Sequence, residues 1–333
     1  MMNKTDNLCE IVNVSKWFSK TNGVFNKTTS HLKAVDDCSL SIRRGETLGL
    51  VGESGCGKTT FGRTLVRIYN PTAGQFFYSP SGSVLPVDIF SLKGKELKEY
   101  RKKIQMIYQD PYGSLNPRMN IENIIMEGLK VHDIGETKAA KRDIIANLLE
   151  KVGLRPEYMR RYPHEFSGGQ RQRIGIARSL VVNPDFIICD EPVSALDVSV
   201  QAQVINILED LKTDFNLTYL FIAHDLSVVK HISDRIAVMY LGKIIELTQT
   251  DELFNNALHP YSKGLLDSIP IPNPHKRKGG KQLLTGDVPS PIDPPQACRF
   301  VSRCPQAFDR CKREIPKLKE IQPGHEVACF LYD

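Results

Sequence analysis

The sequence predicts an α/β fold built on a parallel sheet, and three observations carry that prediction. Short apolar runs of strand length alternate with segments of helical period. One run, Thr47–Val51, passes through a glycine-rich turn into helix-forming residues 60–68. Another, Phe186–Cys189, ends on two adjacent acids, Asp190 and Glu191.

Taken in order, Leu8–Val14 alternates apolar and polar residues as a half-exposed strand does. A polar loop is expected from Lys20 to His31, then a strand-like run closing at the turn signal Arg43-Arg44-Gly45. Charged, helix-forming Lys93–Lys103 leads into the apolar run Ile104–Tyr108. From Ile121 to about Arg161, Ile124, Ile125, Ile144, Ile145, Leu148, Leu149 and Val152 recur at helical spacing, which reads as a helical subdomain. Phe186–Cys189 and Leu217–Ala223 read as buried strands alternating with helices, the pattern of a parallel sheet. Ile236–Tyr240 and Lys243–Glu246, around Leu241-Gly242, read as an antiparallel hairpin. Composition shifts after His259. Two proline-rich linkers, 268–274 and 289–295, flank the basic run His275–Lys281, read as a solvated loop.

The glycine-rich turn is Gly52-Glu53-Ser54-Gly55-Cys56-Gly57-Lys58-Thr59, which fits G-x-x-x-x-G-K-[ST]. A chance glycine-rich turn would lack the strand before it and the helix, from Thr60, after it. Such a turn aims several backbone N–H groups at one anion, with the positive end of a helix behind them. Lys58 reaches the β- and γ-phosphates and the Thr59 hydroxyl can bind Mg²⁺. Gly52, Glu53, Ser54, Gly55, Cys56, Gly57, Lys58, Thr59 and Thr60 are therefore the candidate nucleotide-binding residues, and the fold class is that of a P-loop NTPase (RecA-like).

Bulk properties exclude several classes. At 333 residues, 41% hydrophobic and 25% charged, the chain is globular, with room for one large domain and an appendage. A net charge of +6 without an arginine–aromatic stripe does not argue for nucleic acid. No stretch approaches the roughly 18 apolar residues of a membrane span, and polar Met1–Glu10 lacks the apolar core of a secretory signal. A cytoplasmic protein is expected.

The acids at the end of Phe186–Cys189 supply the other half of the chemistry. Asp190 is placed to hold Mg²⁺ directly or through water, and Glu191 to orient or deprotonate the attacking water. Phe166-Ser167-Gly168-Gly169-Gln170 is then decisive. It resembles the L-S-G-G-Q signature of ABC transporter ATP-binding subunits, with Phe166 in the first place. The resemblance implies an ABC nucleotide-binding domain with an antiparallel β-subdomain and a helical subdomain. It also implies that Ser167, Gly168, Gly169 and Gln170 face the ATP of a partner subunit. By the same resemblance Ser194-Ala195-Leu196-Asp197 is the D-loop along the dimer seam, and His224 is the switch histidine at the γ-phosphate. Gln109 is the Q-loop glutamine, which joins Thr59 and Asp190 at Mg²⁺. Phe18 is expected to stack on adenine, with Trp17 as runner-up. ATP and Mg²⁺ are the implied cofactors.

The segments 45–58 and 109–118, with His259-Pro260-Tyr261-Ser262-Lys263 and Val288-Pro289-Ser290-Pro291, are similar to the oligopeptide/dipeptide importer branch. Tyr112 and the long loop before Ala34 resemble its F-type more than its D-type subunit. This implies an ATP-hydrolysing subunit energising import of di- or oligopeptides, peripheral at the cytoplasmic face of the cell membrane. Its implied partners are a D-type subunit in a heterodimer, two transmembrane permease subunits and an extracytoplasmic peptide-binding protein, with no nucleic acid. Nickel chelates or glutathione remain alternative cargoes, and a soluble ABC ATPase acting on ribosomes or DNA an alternative class. The expected division is 1–258 for the nucleotide-binding domain, its helical subdomain at about 111–178, and 259–333 for a Cys-rich C-terminal extension.

Of eight cysteines, Cys9, Cys38, Cys56 and Cys189 read as small residues of strands or loops. Cys298, Cys304, Cys311 and Cys329 cluster near the end as C-x5-C-x6-C with seventeen residues before the last. Stable disulfides are not expected in the cytoplasm, so clustered thiols point to a metal. The gaps are wider than the usual zinc pairs. A [4Fe–4S] cluster is the leading expectation, with Zn²⁺ or reduced thiols as alternatives.

Overall fold

A computed structural model describes residues 7–22, 27–80, 85–269 and 286–333. The basic run His275–Lys281 and the linker residues Pro270–Pro274 lie outside the described residues, as does the N-terminus up to residue 6.

The chain begins with strands β1 (Asn7–Asn22) and β2 (Lys27–Arg43), neighbours in one sheet. They run through most of the stretch expected to be a polar loop, Lys20 to His31. That expectation is corrected, because ladder pairing satisfies backbone groups whatever the polarity of the side chains. Strand β3 (Thr47–Val51) is buried at every position, and helix α1 (Lys58–Leu65) follows. It stops short of Ile68 because Arg67 turns left-handed, at φ 60°. Strands β4 (Ala73–Tyr78) and β5 (Val87–Asp88) complete a sheet of order β2-β1-β4-β5. The β1–β4 register shifts between Val12 and Ser15, where Asn13 sits at φ 50° in a bulge.

Helix α2 (Gly94–Lys103) runs into β6 (Ile104–Ile107). Helices α3 (Ile121–Val131) and α4 (Lys138–Lys151) start at the caps Asn120 and Thr137, whose side chains accept the N–H groups of Asn123 and Ala140. The sequence continues with α5 (Gly168–Leu180), β7 (Phe186–Asp190), α6 (Val198–Phe215) and β8 (Thr218–Ile222). Then come α7 (Leu226–Ile232), β9 (Arg235–Tyr240), β10 (Lys243–Gln249), α8 (Thr250–Asn256) and α9 (Pro260–Asp267). Two short strands, β11 (Lys319–Gln322) and β12 (His325–Val327), lie near the end.

These elements form two compact units. One comprises Arg43–Glu46 and Ser91–Ile222. Its strands β6, β7 and β8 pair in that order and in parallel, buried at nearly every position, so an uninterrupted apolar run is what each needs. Helices α3 and α4, which carry the periodicity between 121 and 161, pack on each other and on α5.

The other unit comprises Cys9–Ile42, Thr47–Phe90 and Ala223–Asp333. Here β3 pairs with β9 in parallel, and β9 and β10 form the expected antiparallel hairpin through Leu241 and Gly242, both left-handed. Beyond β10 the order is β12, then β11, so the end of the chain covers the β10 edge. A polar knot fixes this junction. Glu246, fully buried on β10, accepts the backbone N–H groups of Leu258 and His259 at 2.6 and 3.0 Å and lies 2.8 Å from His325 Nε2. His259 is 2% exposed, and its Nδ1 accepts the N–H of Tyr261, capping α9.

Burial holds the His259 pKa down at about 4, against a pull upward from Glu246 and a further push down from Lys263. The unfolded chain, with an ordinary histidine near 6.5, binds the proton more readily. Stability contributed here is complete above about pH 6.5 and is lost as pH falls toward 4, on the order of 2 kcal/mol by pH 5. Urea midpoints measured from pH 8 to 5 should fall accordingly. In His259→Asn, which keeps a cap acceptor but not the titration, the slope should flatten.

Candidate functional site

The glycine turn sits between β3 and α1, as the sequence predicts. Lys58 is 4% exposed, and its Nζ donates to the carbonyls of Gly52 and Glu53 at 2.7 and 3.1 Å. The ammonium therefore lies against the inside of the loop, with the loop's own carbonyls as acceptors. Gly57 is the N-cap of α1 at φ 112°, supplying no side-chain cap, and no acid stands in the first turn. The helix start thus keeps its N–H groups for an incoming anion. Ser54 and Gly55 are exposed, whereas Thr59 and Thr60 are half-buried. Cys56 is 2% exposed, and burial raises its thiol pKa against the opposing pull of Lys58. Loop geometry rather than reactivity suits it.

Sequence reasoning missed how the loop is supported. The Glu53 N–H donates to the Tyr261 hydroxyl at 2.8 Å, and Arg303 donates to both Glu53 carboxylate oxygens at 2.7 and 3.0 Å. The one visible signal was a pair of arginines inside the Cys298–Cys304 interval.

On β1, Trp17 and Phe18 alternate across the strand. Trp17 Nε1 donates to Asp36 Oδ1 at 3.2 Å, and Lys33 Nζ lies 4.6 Å from the Trp17 ring centre. Phe18 meets Tyr69 edge-on at 5.4 Å, with Lys16 Nζ 4.8 Å from its ring. Trp17 is pinned by polar contacts, and Phe18 is half-buried. His224 is exposed in the short link between β8 and α7.

In the unit that contains β7, Asp190 is fully buried at the strand tip and Glu191 follows at φ 45°. A left-handed glutamate is strained, and its N–H is held by the Ile222 carbonyl at 2.9 Å. Gln109 Nε2 donates to Glu191 Oε2 at 2.9 Å, so two expected catalytic residues, 82 positions apart, meet. The residues expected to form the D-loop come next. Ser194 Oγ donates to the Glu191 carbonyl at 3.1 Å, and Gln201 Nε2 bonds the carbonyls of Val193 and Leu196. Ala195 and Asp197 are exposed.

The run expected to be the signature opens α5. Ser167 and Gln170 form a capping box, Ser167 Oγ accepting the Gln170 N–H at 3.3 Å and Gln170 Oε1 the Ser167 N–H at 3.1 Å. Phe166 is 4% exposed and packs edge-on against Tyr158, which anchors the turn in place of the usual leucine. A Cβ on Gly169 would lie 2.3 Å from Val200 Cγ1, so that glycine also permits close approach of α6. Tyr112, 57% exposed, stands near Gly168 with the Arg171 guanidinium 4.1 Å from its ring centre.

The four late cysteines line one small cavity together with His259 and Phe300. Burial pushes the Cys298 thiol up to about 11, and nearby Cys311, Cys329 and Cys304 add to the rise. Among the described residues, no three His, Cys, Asp or Glu stand close enough as they are to hold a metal ion. The cysteines therefore converge without forming a closed ligand set. No helix among the described residues is long and apolar enough to cross a membrane.

Residues 35–194 match the family model described as ABC transporter, and residues 245–311 that described as Oligopeptide/dipeptide transporter, C-terminal region. Among solved structures, the ATP-binding cassette MJ0796, dimeric in a post-hydrolysis state bound to ADP and Pi, aligns at TM-score 0.63. That alignment covers 73% of this chain and 98% of the other, at 24% identity. CbiO1 from Clostridium perfringens aligns at 0.61 over 75% and 92%, at 22% identity. These likenesses show the fold, that of an ABC ATPase cassette. The chain is 52% identical over 331 residues to the oligopeptide transport ATP-binding protein AppF of Bacillus subtilis, covering 98% of each. It is 51% identical to OppF of Salmonella typhimurium, covering 91% of this chain and 89% of that protein. The chain belongs to the family of ABC transporter ATP-binding proteins, in the branch that carries the oligopeptide/dipeptide C-terminal region, and it is an ATPase.

Proposed function

We propose that this chain is the F-type ATP-hydrolysing subunit that energises a peptide importer. The observation that carries the reading is the phosphate loop, with Lys58 drawn onto loop carbonyls beside an uncapped, acid-free helix start. Similarity to AppF and OppF supports peptides as the cargo. In this reading Gly52–Thr60 bind the triphosphate and Phe18 stacks on the adenine. Thr59, Gln109 and Asp190 offer the hard oxygen ligands that suit Mg²⁺, which neutralises phosphate charge. Glu191 takes the proton of the attacking water, and His224 contacts the γ-phosphate. Ser167–Gln170 face the ATP of a D-type partner, with Ser194–Asp197 along the seam. Residues 1–258 form the nucleotide-binding domain, with 111–178 as its helical subdomain, and 259–333 the extension. The subunit works at the cytoplasmic membrane face beneath two permease subunits, which receive peptide from an extracytoplasmic binding protein.

Reconstitution with the permease and binding protein tests this. ATPase activity should rise several-fold when the binding protein is loaded with peptide. Stimulation by glutathione or nickel chelates instead would reassign the cargo, and stimulation by ribosomes or DNA without membrane partners would overturn import.

A [4Fe–4S] cluster on Cys298, Cys304, Cys311 and Cys329 belongs to the same proposal. What supports it is a soft, all-thiol donor set around one cavity, in a tail with little core of its own. When bound, it would supply a structural cross-link. Anaerobically purified protein should be brown and contain about four irons and four sulfides per chain, the ratio that defines such a cluster. Stoichiometric zinc without iron would overturn this.

A further inference from the structure

The interval between Cys298 and Cys304 carries two buried arginines, and each reaches a different part of the nucleotide-binding surface. Arg303, 9% exposed, grips the Glu53 carboxylate with both terminal nitrogens, a fork-to-fork pairing that fixes direction as well as distance. Its Nη1 also lies 3.4 Å from the Tyr240 hydroxyl. Tyr261 accepts the Glu53 N–H, so both the peptide and the side chain of Glu53 are held by residues beyond 258. The Glu53 carbonyl in turn accepts from Lys58 Nζ, so its orientation sets where the ammonium rests. On the other side Arg299, 7% exposed, donates to Asp36 Oδ2 at 2.5 Å, while Asp36 Oδ1 accepts from the Trp17 indole. The remaining Arg299 donors, Nε and Nη1, find no acceptor among the described residues, which leaves Asp36 as the anchor of that side chain.

We propose that the Cys298–Cys304 segment is a two-armed positioning clamp. Arg303, with Tyr261, sets the phosphate loop through Glu53, and Arg299 sets the aromatic strand through Asp36. The order of the four-cysteine cavity thereby tunes nucleotide affinity. This rests on reading Gly52–Thr60 as the nucleotide site. Cys298 adjoins Arg299 and Cys304 adjoins Arg303, so a disturbed cysteine set loosens both arms. Linkage makes the coupling reciprocal.

The test measures binding of a fluorescent ATP analogue to the full-length chain, and ATP dependence of turnover in the assembled transporter. Arg303→Met should weaken binding about tenfold or more, the loss expected for a buried charge-assisted pair. KM for ATP should rise by a similar factor, with kcat falling much less. Arg303→Lys should recover part of the affinity, and Tyr261→Phe should weaken it through the lost acceptor. Cys304→Ser should weaken binding as well, and Cys304→Ser with Arg303→Met should be less than the product of the two losses. Wild-type affinity in folded Arg303→Met and Tyr261→Phe, or losses in kcat alone, would overturn the clamp. Full additivity of Cys304→Ser with Arg303→Met would overturn its link to the cysteines. Lys58→Ala separates the two readings. If it binds as wild type, the phosphate-loop assignment fails; if it alone loses binding, only the clamp fails.

Discussion

Replacing Glu191 by Gln is expected to reduce steady-state ATP turnover by about 10²–10⁴-fold, the share a general base contributes, while ATP still binds. The substitution keeps the length and shape of the side chain, and an amide can still pair with Gln109, which lies 2.9 Å from the carboxylate. The left-handed backbone at φ 45° and the 2.9 Å bond from its N–H to Ile222 involve no side-chain atoms and should survive. What disappears is a basic oxygen able to take the proton of water. The variant should therefore fold, load ATP and accumulate in the loaded state. Filter binding with labelled ATP and a phosphate-release assay on the assembled transporter measure the two halves separately. Turnover within about threefold of wild type would remove Glu191 from the role of base.

Much of this arrangement was legible because local pattern and burial agree. β3 matches the apolar run Thr47–Val51 end to end, and β7 and β8 match theirs within a residue, since each is buried on both faces. Helices α3 and α4 follow from their apolar spacing, and the structure adds the caps Asn120 and Thr137 at their starts. Motifs pointed to Gln109, Glu191 and Ser167–Gln170, and the structure brings Gln109 to Glu191. The rest depended on partners distant in sequence. β1 and β2 continue through polar residues because each supplies the other's ladder, which no local pattern reports. β11 and β12 exist because the β10 edge accepts them. Arg303–Glu53 and Arg299–Asp36 span 250 and 263 positions, and no spacing rule reaches that far. The cysteine spacing was visible and pointed to one shared site, and all four residues do line one cavity.

Gly57→Ala is the other change expected to be severe, although it removes no group that touches phosphate. At φ 112° the residue occupies backbone space that an L side chain rarely adopts. A Cβ there would lie 2.0 Å from the Ala34 carbonyl oxygen of β2 and 3.1 Å from Met239 Cε. The first of these is backbone and cannot swing aside. The loop is also tied from behind, where the Gly242 N–H donates to the Cys56 carbonyl at 2.8 Å. Relief therefore requires the turn to leave β2 or α1 to lose its first residue, and either moves Lys58 off the Gly52 and Glu53 carbonyls. Backbone strain and overpacking together should cost roughly 2–4 kcal/mol, read as a lower urea midpoint. ATP affinity should fall about a hundredfold or more, since about 2.7 kcal/mol of lost alignment suffices. Gly55→Ala is the matched control. Its φ is 79°, but no atom lies within 4 Å of the added Cβ, so it should carry backbone strain alone and a smaller loss. Equal losses in the two variants would show that conformational strain, rather than the close approach of β2, dictates glycine at position 57.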